Sequence, residues 1–101
     1  MTDLQIKIFA LVSQIPKGRI STYQLIAQKL GNKNLVRVVG SSLKKNPSLI
    51  KVPCHRVVRS DQKVGNYCLG LAKKKKLLQN EDILIKGDKI VNFKNCLYHF
   101  N

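Results

Sequence analysis

Apolar residues recur near the N-terminus as Leu4, Ile8, Leu11 and Ile15. The steps of four, three and four line one face of a helix over 3–15. Pro16 disfavours helical geometry at Ile15, and Gly18 permits a turn, so Ile15-Pro16-Lys17-Gly18 ends that helix. Ser21-Thr22-Tyr23-Gln24 has the form of a capping box with Ser21 as the N-cap. It opens a second helix over 22–30, which buries Leu25, Ile26 and Leu30 and stops at Gly31. A third helix is expected over 34–45, with Leu35, Val38, Val39 and Leu43 inward and Asn46-Pro47 beyond its end. Gly40 lies in its interior at a cost of about 1 kcal/mol relative to alanine, which predicts close packing of the two helices there.

The pattern then changes. Residues 49–59 are β-branched and apolar around Pro53-Cys54-His55-Arg56, the mark of an extended segment with a turn. Ser60–Lys63 and Val64–Tyr67 are expected as loops. Leu71–Gln79 is a fourth helix with Leu71, Leu77 and Leu78 inward. Within it, Lys73–Lys76 forms a solvated face, but four consecutive residues at about 100° each circle the helix, so at least one faces the core side. Ile83–Ile85 and Lys89–Phe93 flank Lys86-Gly87-Asp88 as a short β-hairpin. Two short helices around a glycine turn, followed by a hairpin, predict a mainly α domain with little β structure. Its form is winged helix-turn-helix-like, with the C-terminal hairpin as the wing.

At 101 residues the chain is expected to form one domain over 1–101. Six Gly and three Pro, with apolar residues spread throughout, exclude a collagen-like or low-complexity chain. No apolar run approaches the ~18 residues of a membrane span, and the N-terminus reads as a helix rather than a signal peptide, so no membrane partner and a cytoplasmic (in a eukaryote, nuclear) location are expected. The net charge of +14 is divided equally between the two halves. A uniformly basic surface favours a polyanion, and nucleic acid is the usual partner of such a domain. Three cysteines, Cys54, Cys68 and Cys96, cannot all pair, and their spacing matches no zinc motif, so free thiols and no metal are expected.

Cys54 is the candidate nucleophile. A thiol attacks as its thiolate, and an ordinary pKa of about 8.5 leaves only a few per cent ionised at neutral pH. Lys51, His55, Arg56 and Arg59 are cations close in sequence, expected to lower it, and Pro53 suits a rigid turn that presents the side chain.

Several ordered motifs now converge: Pro16-Lys-Gly-Arg-Ile-Ser-Thr-Tyr23, Arg37-Val-Val-Gly40, Asn46-Pro47, Pro53-Cys-His-Arg-Val-Val58, Val64-Gly-Asn-Tyr67 and Gly70-Leu-Ala72. Together they resemble the C-terminal active-site domain of the O6-alkylguanine-DNA alkyltransferases (methylated-DNA–protein-cysteine methyltransferases). The resemblance implies irreversible, single-turnover transfer of a methyl or alkyl group from O6-alkylguanine in DNA to Cys54, without a cofactor. It makes His55 the base acting through a water, Glu81 the group that orients the histidine, and Asn46 a hinge for the reactive turn. Tyr23 would rotate a phosphate and hydrogen-bond the departing guanine, while Arg37 would fill the gap left by the flipped base. Tyr23, Arg37, Ser42, Lys44, Lys45 and Arg56 would contact DNA. Val64, Gly65, Asn66, Tyr67, Cys68 and Leu69 would wall the base pocket. The implied partner is double-stranded DNA, entered through the minor groove by a monomer and read almost independently of sequence.

Three departures from the family pattern stand out. Only about seven residues precede the matching region, so the larger members' N-terminal domain is expected to be absent, with a partner or the other half of a natural fusion as the alternatives that would supply it. Leu69 is bulky where glycine is common, which predicts that large adducts are excluded. Lys73–Lys76 replaces a stretch that usually contains an acidic residue and an aromatic. The alternative function is that of an alkyltransferase-like damage sensor, which binds without transfer and typically carries tryptophan in place of the cysteine; Cys54 beside His55 favours transfer. A Cys-His hydrolase is disfavoured, since adjacent Cys and His seldom form a direct dyad.

Overall fold

The computed structural model describes residues 2–46 and 52–100. Pro47 and the segment Leu49–Lys51, with its expected extended conformation, lie outside them. Helix α1 spans Asp3–Val12 and starts on a capping box formed by Thr2 and Gln5. The expected face from Leu4 to Ile15 is only partly regular. Ile15 is buried, but from the turn that follows the helix, and Phe9 and Val12 join Ile8 in the core.

Strand β1 is Ser21–Thr22 and leads directly into α2, Tyr23–Lys29. The N-cap is Thr22, one residue later than the sequence suggested: its Oγ1 accepts from the Leu25 amide at 3.0 Å. Ser21 cannot cap because it is held in β1, and its buried hydroxyl has no hydrogen-bond partner among the described residues. A 3₁₀ turn at Lys33–Leu35 then precedes α3, Val36–Lys44. Val39 and Leu43 point into the core as expected, whereas Val38 is exposed. Gly40 does not mediate helix packing, because a Cβ placed there would meet nothing within 4 Å.

Pro53 precedes a 3₁₀ turn at Cys54–Arg56, which runs into β2, Val57–Val58. Strands β1 and β2 pair in parallel, Ser21 with Val57 and Thr22 with Val58. This short pair separates two apolar clusters. Successive strand residues face opposite ways, so Val57 joins Ile8, Val12, Ile26, Val39 and Cys54, while Val58 joins Ile20, Val64, Leu78, Ile83 and Ile90.

Helix α4 is Leu71–Gln79, with the expected bounds. Its inward set differs: Leu78 is fully buried and Leu71 is exposed, and the buried position one turn before Leu78 is taken by Lys74. Strands β3 (Ile85–Lys86) and β4 (Lys89–Ile90) form the hairpin, with Gly87 in the left-handed region at its turn. The second arm is shorter than expected, since Phe93 begins a one-turn helix, α5, Phe93–Cys96. The hairpin is not a free wing. The Val64 amide donates to the Asp88 carbonyl at 2.8 Å and the Ile90 amide to the Gln62 carbonyl at 2.9 Å, so it braces the loop that follows β2. The result is a mainly helical domain with two small sheets, in which α2 and α3 form the helix-turn-helix-like pair.

Candidate active site

Two chain segments meet because of the β1–β2 pairing. Tyr23 is the first residue after β1, and Cys54-His55-Arg56 immediately precedes β2. Parallel pairing therefore places the tyrosine beside the cysteine turn, although 31 sequence positions separate Tyr23 from Cys54.

Cys54 is only 4% exposed, yet it borders an open cleft of about 640 Å³. That is within the roughly 300–1,000 Å³ of small-molecule sites. Tyr23, Asn66, Tyr67 and Cys68 line it on one side, and Val36, Arg37, Gly40, Ser41 and Lys44 of α3 on the other. The bare backbone of Gly40 thus opens the cleft. Arg59, which the sequence reading included only as a nearby cation, also lines it.

Beside the cysteine, His55 is buried and its Nε2 lies 3.0 Å from Glu81 Oε2. Donation of Nε2–H to that carboxylate fixes the tautomer and leaves Nδ1 as the ring's proton acceptor. No direct hydrogen bond joins the ring to the Cys54 sulfur among the described residues, so proton passage between them needs a bridging water. Glu81 also receives Arg56 Nε at 2.9 Å and Arg56 Nη2 at 2.9 Å. Burial alone would raise the Glu81 pKa, but the hydrogen bonds from Arg56 and His55 outweigh it and hold the carboxyl below its ordinary value.

This arrangement corrects the expectation for Arg56. Its guanidinium faces inward on Glu81 and on the Ile15 carbonyl, 2.8 Å away, and is not presented to a phosphate. The cationic neighbours of Cys54 also act differently from the sequence expectation. Burial pushes the thiol pKa up; a hydrogen bond from Asn46 and the charge of Lys74 pull against it, while the Cys68 thiol pushes it further up. The resting sulfur is a protonated thiol. Asn46, half of whose amide is committed to the Val52 carbonyl at 2.8 Å, ties the end of α3 to the start of the cysteine turn.

The residue that the sequence did not single out is Lys74. It is completely buried, and its Nζ donates to the carbonyls of Val57 at 2.7 Å and Asn66 at 3.0 Å, and to the Tyr23 hydroxyl at 3.4 Å. Burial pulls its pKa down to about 7. The circling argument for four lysines required one inward position, and only the packing of α4 against β2 selects which. Tyr23 in turn reaches the Asn66 carbonyl at 3.4 Å. Both bonds to its hydroxyl are long, so that group is easily redirected toward a molecule in the cleft. Burial and the nearby Cys54 push its pKa up to about 12, so the hydroxyl remains a donor.

The other expected site residues divide. Arg37 and Lys44 are exposed along the cleft, and Lys45 is exposed just beyond α3. Ser42 is buried against the core by the helical rotation that turns Ser41 to the cleft instead. Asn66, Tyr67 and Cys68 wall the cleft. Val64 does not, because it is fully buried in the second cluster, and Gly65 lies behind the wall, next to the Arg59 stem and Lys74. Leu69 is 54% exposed and is not among the residues that line the cleft.

Residues 3–83 match the family described as 6-O-methylguanine DNA methyltransferase, DNA binding domain. A methylated-DNA–protein-cysteine methyltransferase from Scheffersomyces stipitis is 46% identical over 92 residues, covering 90% of this chain and 47% of that protein. One from Methanothermobacter thermautotrophicus is 37% identical over 86 residues, covering 85% and 48%. The chain spans about half the length of these relatives. Among solved structures, S. pombe Atl1 in complex with damaged DNA containing O6-carboxymethylguanine superposes with a TM-score of 0.86 at 28% identity, over 97% of this chain and 96% of that one. Mycobacterium tuberculosis OGT in complex with DNA gives 0.78 at 35% identity, over 81% and 50%.

Proposed function

The chain belongs to the 6-O-methylguanine-DNA methyltransferase family, and from that premise we propose that it repairs O6-alkylguanine in duplex DNA by accepting the alkyl group on Cys54. The observation that carries this reading is the cysteine at the margin of a base-sized cleft, on the same turn as a histidine whose far nitrogen is held by a half-buried carboxylate.

An ether carbon on a purine oxygen is a poor electrophile, so the reaction needs an activated nucleophile and support for the departing ring. The thiol proton passes through a water to His55 Nδ1, and Glu81, anchored by Arg56, supports the charge that the ring acquires. The sulfur attacks the alkyl carbon, the C–O6 bond breaks, and its electron pair stays on the guanine. The Tyr23 hydroxyl, steadied by Lys74, donates toward that negative charge. A thioether and a guanine anion result, with the thiol proton on His55; the guanine takes a proton from water and His55 returns one to water, so that one proton passes overall from the sulfur to the guanine. The thioether has no simple return path, so each molecule acts once, and no step calls for a cofactor.

The target carbon is out of reach inside a duplex, so the nucleotide must be flipped into the cleft. Unstacking costs a few kcal/mol, and insertion of Arg37 from the exposed face of α3 offsets part of it. Lys44 and Lys45 flank that face and favour phosphate. The proposed partner is therefore double-stranded DNA, entered through the minor groove by a monomer with little sequence preference.

The second reading is damage sensing without transfer. It is favoured by the end-to-end match with Atl1 and by the raised Cys54 pKa. Intact mass after incubation with an O6-methylguanine duplex separates the two. Transfer adds about 14 Da, one CH₂, to the peptide containing Cys54 in a stoichiometric burst, whereas tight binding without mass gain refutes transfer.

A further inference from the structure

A second thiol lines the cleft that the acceptor borders. Cys68 lies in the four-residue turn Tyr67–Gly70, closed by the Gly70 amide on the Tyr67 carbonyl at 3.0 Å. Leu69 points out of that turn, while Cys68 lines the same cleft as Cys54. Cys68 is exposed, and Cys54 is buried except where the cleft reaches it. Both residues line the one cleft, and the Cys68 thiol adds to the rise in the Cys54 pKa, so the two groups lie within electrostatic reach across it. The third cysteine, Cys96, is buried in the other apolar cluster, with Ile20 and Ile90.

We propose that Cys54 and Cys68 form a paired-thiol modification site, which hydroperoxides convert reversibly into a disulfide across the cleft. The exposed Cys68 meets the oxidant first. Its sulfur attacks a peroxide oxygen, the O–O bond breaks, and a sulfenic acid forms with release of water or an alcohol. The Cys54 sulfur then displaces hydroxide from that sulfenic sulfur, the S–S bond forms, and water leaves with the thiol proton. In total the pair gives up two electrons and two protons to one peroxide. An external dithiol reverses the change by exchange and is itself oxidised. While joined, Cys54 has no free sulfur to offer, but it is also protected from irreversible oxidation to sulfinic acid.

The site concerns the thiols alone and is tested without DNA, so its failure is separate from failure of the repair assignment. The reduced protein is treated with equimolar hydrogen peroxide, quenched, denatured and labelled with N-ethylmaleimide. The expected product is lighter by about 2 Da before labelling and takes up one maleimide instead of three. A non-reducing tryptic digest links the peptide 52–56 to the peptide 64–73, and dithiothreitol restores all three thiols. In Cys68→Ser, the fraction of Cys54 that dithiothreitol recovers after a peroxide excess falls about fivefold or more, with sulfinic acid in its place. A linkage that involves Cys96, a linkage between two copies, or equal recovery of Cys54 in the two proteins overturns the proposal.

Discussion

Replacement of Lys74 by methionine tests the most unusual feature of the site. Methionine has nearly the same length and volume but no charge, so it removes the ammonium from between the Val57 and Asn66 carbonyls while filling the space. In the folded protein the ammonium pKa is pulled down from 10.5 to about 7 by burial. Between these values the unfolded chain holds a proton that the folded chain has shed, so stability rises with pH through this window. Below pH 7 both states are protonated and the contribution is flat. One such group gives a slope approaching about 1.4 kcal/mol per pH unit, and from pH 7 to 8.5 the gain sums to about 1.5 kcal/mol. Tyr23 and Tyr67, both pushed up to about 12, act in the opposite direction only at higher pH, where their unfolded forms ionise first, while Cys54, raised from 9.0, begins to oppose the gain near the top of the window. The assay is urea unfolding at pH 7.0, 7.75 and 8.5 under reducing conditions, followed by far-ultraviolet circular dichroism because the chain has no tryptophan. Wild type should gain the stated amount relative to Lys74→Met, whatever the absolute stability of the variant. Parallel curves for the two proteins would mean that Lys74 keeps an ordinary pKa and that the buried ammonium is fully compensated.

Gly40→Ala should raise the melting temperature, since it adds about 1 kcal/mol of helix propensity and meets no atom, yet weaken duplex binding by narrowing the cleft; a lower melting temperature refutes the open-face placement. Glu81→Gln should cost on the order of 3 kcal/mol at neutral pH by stranding Arg56 and loosening His55, measured by chemical unfolding. Because the Glu81 pKa is lowered on folding, wild type should lose this advantage as pH falls below 4.5, so the two stability curves should converge in acid. Arg37→Ala should slow reaction with duplex substrate far more than with free O6-methylguanine, and equal loss on both would remove its assignment as the inserted side chain. Ser21→Ala should be neutral or stabilising by about 1 kcal/mol in thermal melts, since it deletes a buried hydroxyl without a partner.

Much of the architecture was legible because it is written in local patterns. The apolar spacing and Pro16 placed the first helix, Gly31 closed the second, and Leu71–Gln79 emerged with its observed bounds. The errors share a cause: each needed the chain's neighbours in space. The cap moved from Ser21 to Thr22 because Ser21 pairs with Val57, a residue 36 positions away. Ser42 and Ser41 are equivalent in composition, and only the rotation of α3 against the core decides which meets the cleft. Leu69 and Cys68 share a turn, and its orientation leaves one exposed outside the cleft and puts the other on the cleft wall.

By itself, the sequence determined which groups the domain possesses: a thiol beside an imidazole, a glycine in a helix, a basic surface without acidic relief. It also carried the ordered motifs that identify the family. Tertiary structure alone decided how those groups act on each other. Arg56 became an anchor for Glu81 instead of a surface charge, one lysine of four became a buried donor, and the cysteine beside several cations came to rest as a neutral thiol. The reason is that electrostatic strength and hydrogen bonding depend on burial and on distances of a few ångströms. Those quantities arise only when α4, β2 and the cysteine turn are packed together.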